Sequence, residues 1–296
     1  MLTPSQRLLE KASTLIEALP YIKQFYGQTI VIKYGGAAMV NDDLKNATME
    51  DIVMMRYCGI RPVVVHGGGP DITSMMNRLG LEPRFVNGQR YTDEATMDVV
   101  EMVLTGKINS EIVTDIQKHG GNAVGLSGKD SWIVKAEKFT GHQSDTKPAD
   151  DLGFVGDIER VNPSLIDALI NQGFIPVISP VGMDQKGQSY NINADLVAGE
   201  IAGALCAKKL LLLTDSPGIL SDPKDPGSLI NTLEMDQIDQ LIRDGVIKGG
   251  MIPKVEACMR AIEEGVKKTH IIDGRVPHAL ILEIFTDEGI GTEIIA

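Results

Sequence analysis

Short apolar runs rich in β-branched residues alternate along this chain with longer stretches whose apolar positions recur every three or four residues. Thr29-Ile30-Val31-Ile32, Pro62-Val63-Val64-Val65, Phe174 to Ser179 and Lys209-Leu210-Leu211-Leu212-Leu213-Thr214 lack the polar alternation of a half-exposed strand. They therefore predict strands buried on both faces of a parallel sheet. Between them the helical period is plain. Leu8, Ala12, Leu15, Ile16 and Leu19 predict a first helix, with Thr3 as N-cap, Pro4 in the first turn and Gln6 completing a capping box; Pro20 marks its end. Asn41 or Asp42 starts a helix running to about Tyr57, with Gly59 placed to terminate it, and Asp71 to Leu79 is helical in pattern.

Phe85 to Tyr91 predicts a hairpin turning at Asn87-Gly88, with Arg90 just beyond the turn. Thr92 is placed to cap a helix carrying Met97, Val100 and Leu104, and Ile108, Ile112 and Ile116 mark the next. From Gly120 to Asp151, short apolar runs between polar turns predict antiparallel hairpins, and a flexible lid would sit there. Asn162-Pro163 opens a helix that Gly173 stops. Tyr190-Asn191-Ile192-Asn193-Ala194-Asp195 leads into an almost uncharged, small-residue helix that should be buried, and Leu229 to Asp244 reads as loop followed by helix. Gly249-Gly250-Met251-Ile252-Pro253-Lys254 opens a further helix carrying Ala257, Met259 and Ile262. Regular alternation of strand and helix predicts an α/β fold around a mainly parallel sheet.

Composition narrows the function classes. With 296 residues, 43% of them hydrophobic, the chain can bury a large core as one big domain or two lobes. A net charge of −12 argues against nucleic acid or an anionic membrane as the main partner, since both demand a positive surface. Cys58, Cys206 and Cys258 are odd in number and widely spaced, which fits a reducing cytoplasm rather than a disulfide framework or a thiolate zinc site. His66, His119, His142, His270 and His278 have no metal-ligand spacing, so no protein-bound transition metal is expected. Arg7, Glu10, Lys11 and Glu17 interrupt the apolar N-terminal residues, which excludes a signal peptide or membrane span there.

Chemistry concentrates at strand ends. Lys33 is followed by Gly35-Gly36, and His66 by Gly67-Gly68-Gly69-Pro70, so two turns without Cβ atoms can bring backbone N–H groups up to an anion. Such a pair implies polyphosphate. Lys254 near a helix N-terminus opposes the helix dipole and calls for a compensating anion. Two amides, Asn191 and Asn193, and the carboxylate of Asp195 crowd the entrance of a buried helix. A Walker loop is absent, because Asp130 follows Gly128-Lys129, and Ile72 stands where a dinucleotide fingerprint needs its last glycine. Two lysines and two glycine loops around a carboxylate suit phosphoryl transfer by positioning and charge neutralisation. No general base is needed if the acceptor is already an anion.

Lys33-Tyr34-Gly35-Gly36, His66-Gly67-Gly68-Gly69-Pro70, Asn191-Ile192-Asn193-Ala194-Asp195 and Gly249-Gly250-Met251-Ile252-Pro253-Lys254 resemble the motifs of the amino acid kinase family, from about Tyr21 to the C-terminus. The resemblance implies a three-layer αβα sandwich around an open sheet, with an N-terminal oligomerisation helix (residues 1–26), an amino-acid-substrate lobe (27–206) and a nucleotide-binding lobe (207–296). It implies ATP with Mg2+ as phosphoryl donor and the side-chain carboxylate of N-acetyl-L-glutamate as acceptor, in arginine biosynthesis. Lys33 and Lys254 would neutralise the migrating group, with Asp195 holding both. Gly68, Gly69, Arg90, Asn191 and Asn193 would bind substrate, and Gly35, Gly36 and Asp215 nucleotide. Arg90-Tyr91-Thr92-Asp93 matches the substrate hairpin except at Tyr91, where the family has a small apolar residue. The N-terminal helix and the segments His270 to Arg275 and Glu283 to Gly291 resemble arginine-inhibited members, which implies a hexamer built as a trimer of dimers and an arginine site at Tyr21, His270, Glu283 and Gly289. Alternatives are a sister kinase acting on glutamate, aspartate, carbamate or a nucleoside monophosphate, and a non-catalytic arginine sensor on the same fold.

Overall fold

In the computed structural model, which describes residues 3–39, 41–140, 151–287 and 289–296, the chain begins with α1 (Pro4–Glu17) and α2 (Leu19–Phe25) and enters the sheet at β1 (Thr29–Tyr34). Next come α3 (Asp42–Tyr57), β2 (Arg61–His66), α4 (Gly69–Arg78), the hairpin of β3 (Phe85–Val86) and β4 (Gln89–Arg90), and α5 (Glu94–Glu101). A π-helical segment, Met102–Ile108, joins α5 directly to α6 (Asn109–Lys118). The middle of the chain holds β5 (Ala123–Ser127), β6 (Val134–Lys138), β7 (Gly156–Val161), α7 (Ser164–Asn171), β8 (Ile175–Ser179), β9 (Val181–Met183), β10 (Ser189–Asn191) and α8 (Ala194–Ala204). The remainder is β11 (Lys209–Thr214), β12 (Thr232–Glu234), α9 (Met235–Arg243), α10 (Ile252–Glu263), β13 (Lys268–Asp273), α11 (Ala279–Phe285) and β14 (Thr292–Ile295).

The apolar runs become the middle of one eight-stranded sheet, in the order β12-β14-β13-β11-β1-β2-β8-β5. From β13 to β5 every neighbour is parallel, and β14 reverses the direction against β13. Successive residues of a strand face opposite ways, so each run feeds two cores. Ile30, Ile32, Val64, Leu211 and Leu213 pack with Ile52 of α3, Met76 of α4, Ile116 of α6 and Leu280 of α11. Val31, Val63, Val65, Leu210 and Leu212 pack on the other face with Ile166 of α7, Ala198 of α8, Ile238 of α9 and Cys258 of α10. Helices on both faces make the expected three layers. A smaller sheet, β10-β9-β6-β7, adds Val134, Ala136 and Tyr190 to the second core.

Several expectations need correction. Pro20 does not end the first helix; α1 stops at Glu17, and Pro20 sits in the first turn of α2, where its missing N–H has no helical partner to lose. Asp93, not Thr92, caps α5, its carboxylate accepting the N–H of Thr96, because Thr92 is drawn into a bridge with Gly153. Ala123–Ser127 is a parallel edge strand of the main sheet beside β8, and β6 pairs antiparallel with β7, a strand that lies beyond the 120–151 segment expected to form the hairpins. Strands β12 and β14 escape the pattern altogether, being three and four residues long. Part of the 120–151 lid segment, and His142, lie outside the described residues. Among the described residues no helix is long and apolar enough to cross a membrane.

Helices α8 and α10 touch through small residues. A Cβ on Gly199 would stand 2.5 Å from the carbonyl oxygen of Ala257, a backbone atom that cannot step aside. The helix-propensity gain of Gly199→Ala, about 1 kcal/mol, is thus outweighed by overpacking of about 1–3 kcal/mol. Urea denaturation is expected to show a lower midpoint for this variant; an equal or higher midpoint would contradict the packing described.

Candidate active site

The first two parallel strands end side by side, and both end in glycine turns. Lys33, the penultimate residue of β1, folds its side chain back over Gly35, where a Cβ would lie 2.6 Å from Nζ and would push the ammonium from this place. Gly36 has φ +66°, and the N–H of Ala37 beyond it donates to Asp215, at the end of β11. Across the gap, Gly67 and Gly68 lead from β2 into α4, whose N-terminus opens on a cavity of about 410 Å³. The N-terminus of α8 opens on the same space. Ligands of open α/β sheets bind at this carboxyl edge of the strands.

Asp195 stands at the centre. Asn193 caps α8, its side-chain oxygen accepting the N–H of Asp195 at 2.8 Å, which fixes Asp195 in the first turn. Lys33 Nζ lies 3.1 Å from one carboxylate oxygen and Lys254 Nζ 2.7 Å from the other. Burial pushes the Asp195 carboxyl up, but the charges and hydrogen bonds of the two lysines outweigh it and hold the group below the usual carboxylate range. Lys254 lies in the first turn of α10, and the anion its position calls for is this side chain. Two cations on one anion leave the trio with a net positive charge facing the cavity.

Arg90 is 8% exposed and lines the same cavity. Among the described residues its guanidinium meets neutral acceptors: the Gly69 carbonyl at 3.0 Å, the Thr73 hydroxyl at 2.7 Å and the Met76 sulfur at 3.3 Å. Its carbon sits 4.8 Å from the Phe85 ring centre. A buried guanidinium without a carboxylate partner is a receptor for an anion. Asn191 lies alongside, donating to the Thr92 hydroxyl at 3.2 Å, while Thr92 donates to the Arg90 carbonyl at 3.0 Å. Tyr91 turns aside, its ring 4.5 Å from the Arg84 guanidinium.

The predicted residues thus divide. Lys33, Gly35, Gly36, Gly68, Gly69, Arg90, Asn191, Asn193 and Asp195 line one cavity, and Lys254 joins them through Asp195. Asn193 spends its oxygen on the helix cap, and Asp215 stands behind the first glycine turn, engaged by Ala37. Tyr21, His270, Glu283 and Gly289 gather around a second cavity, about 300 Å³, between α2 and the far side of the sheet. There Glu283, almost fully buried, takes the Lys209 ammonium at 3.0 Å, the His270 Nδ1 at 2.8 Å and the N–H of Ile290 at 3.0 Å. Burial pulls the His270 imidazole below its usual range, and its Nε2 is buried without a hydrogen-bond partner. Thr73, Phe85 and Lys209 were not singled out in the sequence; only Lys209, a lone charge heading an apolar run, carried a usable signal.

A model of the amino acid kinase family matches residues 28–273 of the chain. Acetylglutamate kinase of Moorella thermoacetica is 60% identical over 289 residues, covering 97% of this chain and 98% of that one. The acetylglutamate kinases of Heliobacterium modesticaldum and Methanocaldococcus jannaschii are 57% and 54% identical, the first covering 98% of this chain and 99% of its own, the second 97% of each. Among solved structures, N-acetylglutamate synthase of Neisseria gonorrhoeae, complexed with coenzyme A and N-acetyl-glutamate, superposes with a TM-score of 0.83 at 25% identity. That match takes in 96% of this chain but 63% of the synthase. Carbamate kinase of Giardia shares the fold, with a TM-score of 0.63 at 19% identity over 91% of this chain and 99% of that one.

The second cavity yields an acid-stability signature. Burial pushes the Glu283 carboxyl up, but the hydrogen bond from His270, the charges of His270 and Lys209 and the Ile290 N–H bring it down to about 2 from an ordinary 4.5. A folded-state pKa below the unfolded one stabilises above pH 4.5 and is lost as pH falls towards 2, on the order of 3 kcal/mol in all. Glu283→Gln is therefore expected to flatten the acid limb of the stability profile in that window. An unchanged acid limb would contradict the assigned network.

Proposed function

The chain belongs to the amino acid kinase family, and from that premise we infer that it transfers the γ-phosphoryl group of ATP to the side-chain carboxylate of N-acetyl-L-glutamate. The products are ADP and N-acetyl-L-glutamyl 5-phosphate, an acyl phosphate on the route to arginine. The observation that carries the mechanism is the Asp195 carboxylate holding two ammonium groups, at 3.1 and 2.7 Å, on the rim of one cavity. In-line transfer between two anions needs charge neutralised on the migrating group and its bridging oxygens, and Lys33 and Lys254 supply it. The acceptor carboxylate attacks as it is, so no base takes part. Arg90 and Asn191 grip the α-carboxylate, Gly68 and Gly69 offer N–H groups to the reacting end, and Gly35, Gly36 and Asp215 form the nucleotide side. Apart from the Gly35-Gly36 turn, residues 27–206 serve the amino-acid substrate and 207–296 the nucleotide. Magnesium enters on the ATP phosphates, as part of the substrate. Three free cysteines suit the cytoplasm.

Hydroxylamine trapping of the acyl phosphate tests this. Lys33→Ala should lower kcat by about 10²-fold or more with a milder change in KM. Arg90→Ala should instead raise the KM for acetylglutamate and leave that for ATP. No trapped product from the unaltered chain, or an unchanged kcat in Lys33→Ala, would overturn the reading.

The second cavity is the proposed seat of arginine feedback. Glu283 and Glu293 suit a guanidinium or ammonium, Lys209 and Lys268 a carboxylate, and the bare His270 Nε2 can accept one further donor. Tyr21 links the cavity to the N-terminal helices. Leu8, Leu9, Leu15 and Ile16 of α1 are each 68–71% exposed, an apolar face suited to exchange between dimers of a hexamer. Deleting residues 1–20 should give smaller particles by light scattering and blunt inhibition by arginine. A hexamer that survives the deletion would end this part of the proposal.

A further inference from the structure

One buried residue beside the glycine turn is used by neither the phosphate nor the substrate. His66, the last residue of β2, is 0% exposed and lies between two partners: its Nδ1 is 2.9 Å from the Gly67 carbonyl, its Nε2 3.2 Å from Asn109 Nδ2. The same Asn109 nitrogen also faces the carbonyls of Val177 at 2.9 Å and Leu126 at 3.4 Å. An oxygen in that place would meet two other oxygens, so the amide must point its NH2 group this way. Asn109 then donates to Nε2, which has to be the bare nitrogen. Nδ1 keeps the proton and donates to Gly67. Burial and the nearby Lys33 charge push the imidazole down to about 4, so it stays neutral.

The consequence reaches the cavity through peptide geometry. In a planar trans peptide the C=O and the following N–H point in opposite directions. Tying the Gly67 carbonyl inward to His66 therefore turns the Gly68 N–H outward, on the side where Gly68 lines the cavity. The π-helical segment Met102–Ile108 supports the same turn from below. Leu104 Cδ2 would lie 2.6 Å from a Cβ on Gly68, and Ile108 Cδ1 comes closer still. Lys107 pairs with Asp71 in the first turn of α4 at 3.2 Å. The wider π turn is what delivers Asn109, the next residue, to His66.

We propose that Asn109 and His66 are positioning residues for phosphoryl transfer: the amide fixes the imidazole as its neutral Nδ1–H form, and that N–H sets the Gly68 amide towards the reacting oxygens. The kinetic part rests on the function proposed above; the tautomer does not. Neither residue touches the reactants. An asparagine side chain can place an N–H near Nδ1, whereas glutamine reaches the Nε2 end. His66→Gln and His66→Leu are expected to lower kcat by about 10- to 100-fold, with KM for either substrate moving less than about threefold. His66→Asn should return kcat to within about fivefold of the unaltered chain. Equal loss in the Asn and Gln variants, or full activity in Gln, would overturn the proposal. Imidazole 15N spectra of the full chain at neutral pH provide a readout that needs no turnover. They should show His66 protonated at Nδ1 alone, and Asn109→Asp should abolish that pattern. A wild-type spectrum with Nε2–H or a doubly protonated ring overturns the relay even if the enzyme is active, and an Nδ1–H spectrum upholds the tautomer even if acetylglutamate is not the acceptor, leaving the kinetic part to the His66 variants.

Discussion

A carboxylate shared by two ammonium groups sets the terms for the rest of this molecule. Lys33 comes from a strand, Asp195 from the start of α8 and Lys254 from the start of α10, so the three meet only when both helices pack against each other and against the sheet. That explains why α8 is so poor in large side chains: Gly199 sits against the backbone of α10, and Gly203 against Glu264. Closeness of the helices is what places one acid between two bases. The pairing also answers an electrostatic difficulty, because two lysines this close would repel without an anion, and a second anion would cancel the charge needed for phosphate. One acid to two bases leaves a positive excess inside a chain of net charge −12.

Around that centre the cavity is built from backbone as much as from side chains. Glycine turns after β1 and β2 and the N-termini of α4 and α8 present N–H groups and the positive ends of helix dipoles, which need no reorganisation when charge moves. Arg90 adds a further cation to the lining, and the groups its guanidinium meets among the described residues are neutral. The π-helical segment between α5 and α6 gives this backbone its floor. Sequence periodicity cannot reveal such a segment, since one extra residue in a turn merely shifts the apolar phase.

What could be read from the sequence was what depends on neighbours along the chain. The strand after Thr29, the capping box at Thr3, the Asn87-Gly88 turn and the glycines beside Lys33 are local, and each appears where it was expected. The cluster of Lys33, Asp195 and Lys254 was legible because each of its residues lies at a boundary between elements. Features created by distant partners were not. Thr92 lost its cap to Asp93 through a bridge to Gly153, and β5 joined the main sheet because β8 lay beside it. Strands β12 and β14 are too short to carry a period, and Asn109 looks like any polar residue inside a helix until His66 is folded against it.

Strand β11 runs between the two cavities. It begins at Lys209, bound to Glu283 beside the second cavity, and ends at Thr214, next to the Asp215 that braces the first glycine turn. Six residues of extended chain make a rod about 20 Å long. Hydrogen-bonded along both edges and walled in by apolar side chains above and below, such a rod has little freedom to bow or buckle. The two pockets are therefore mounted on opposite ends of the same stiff strut.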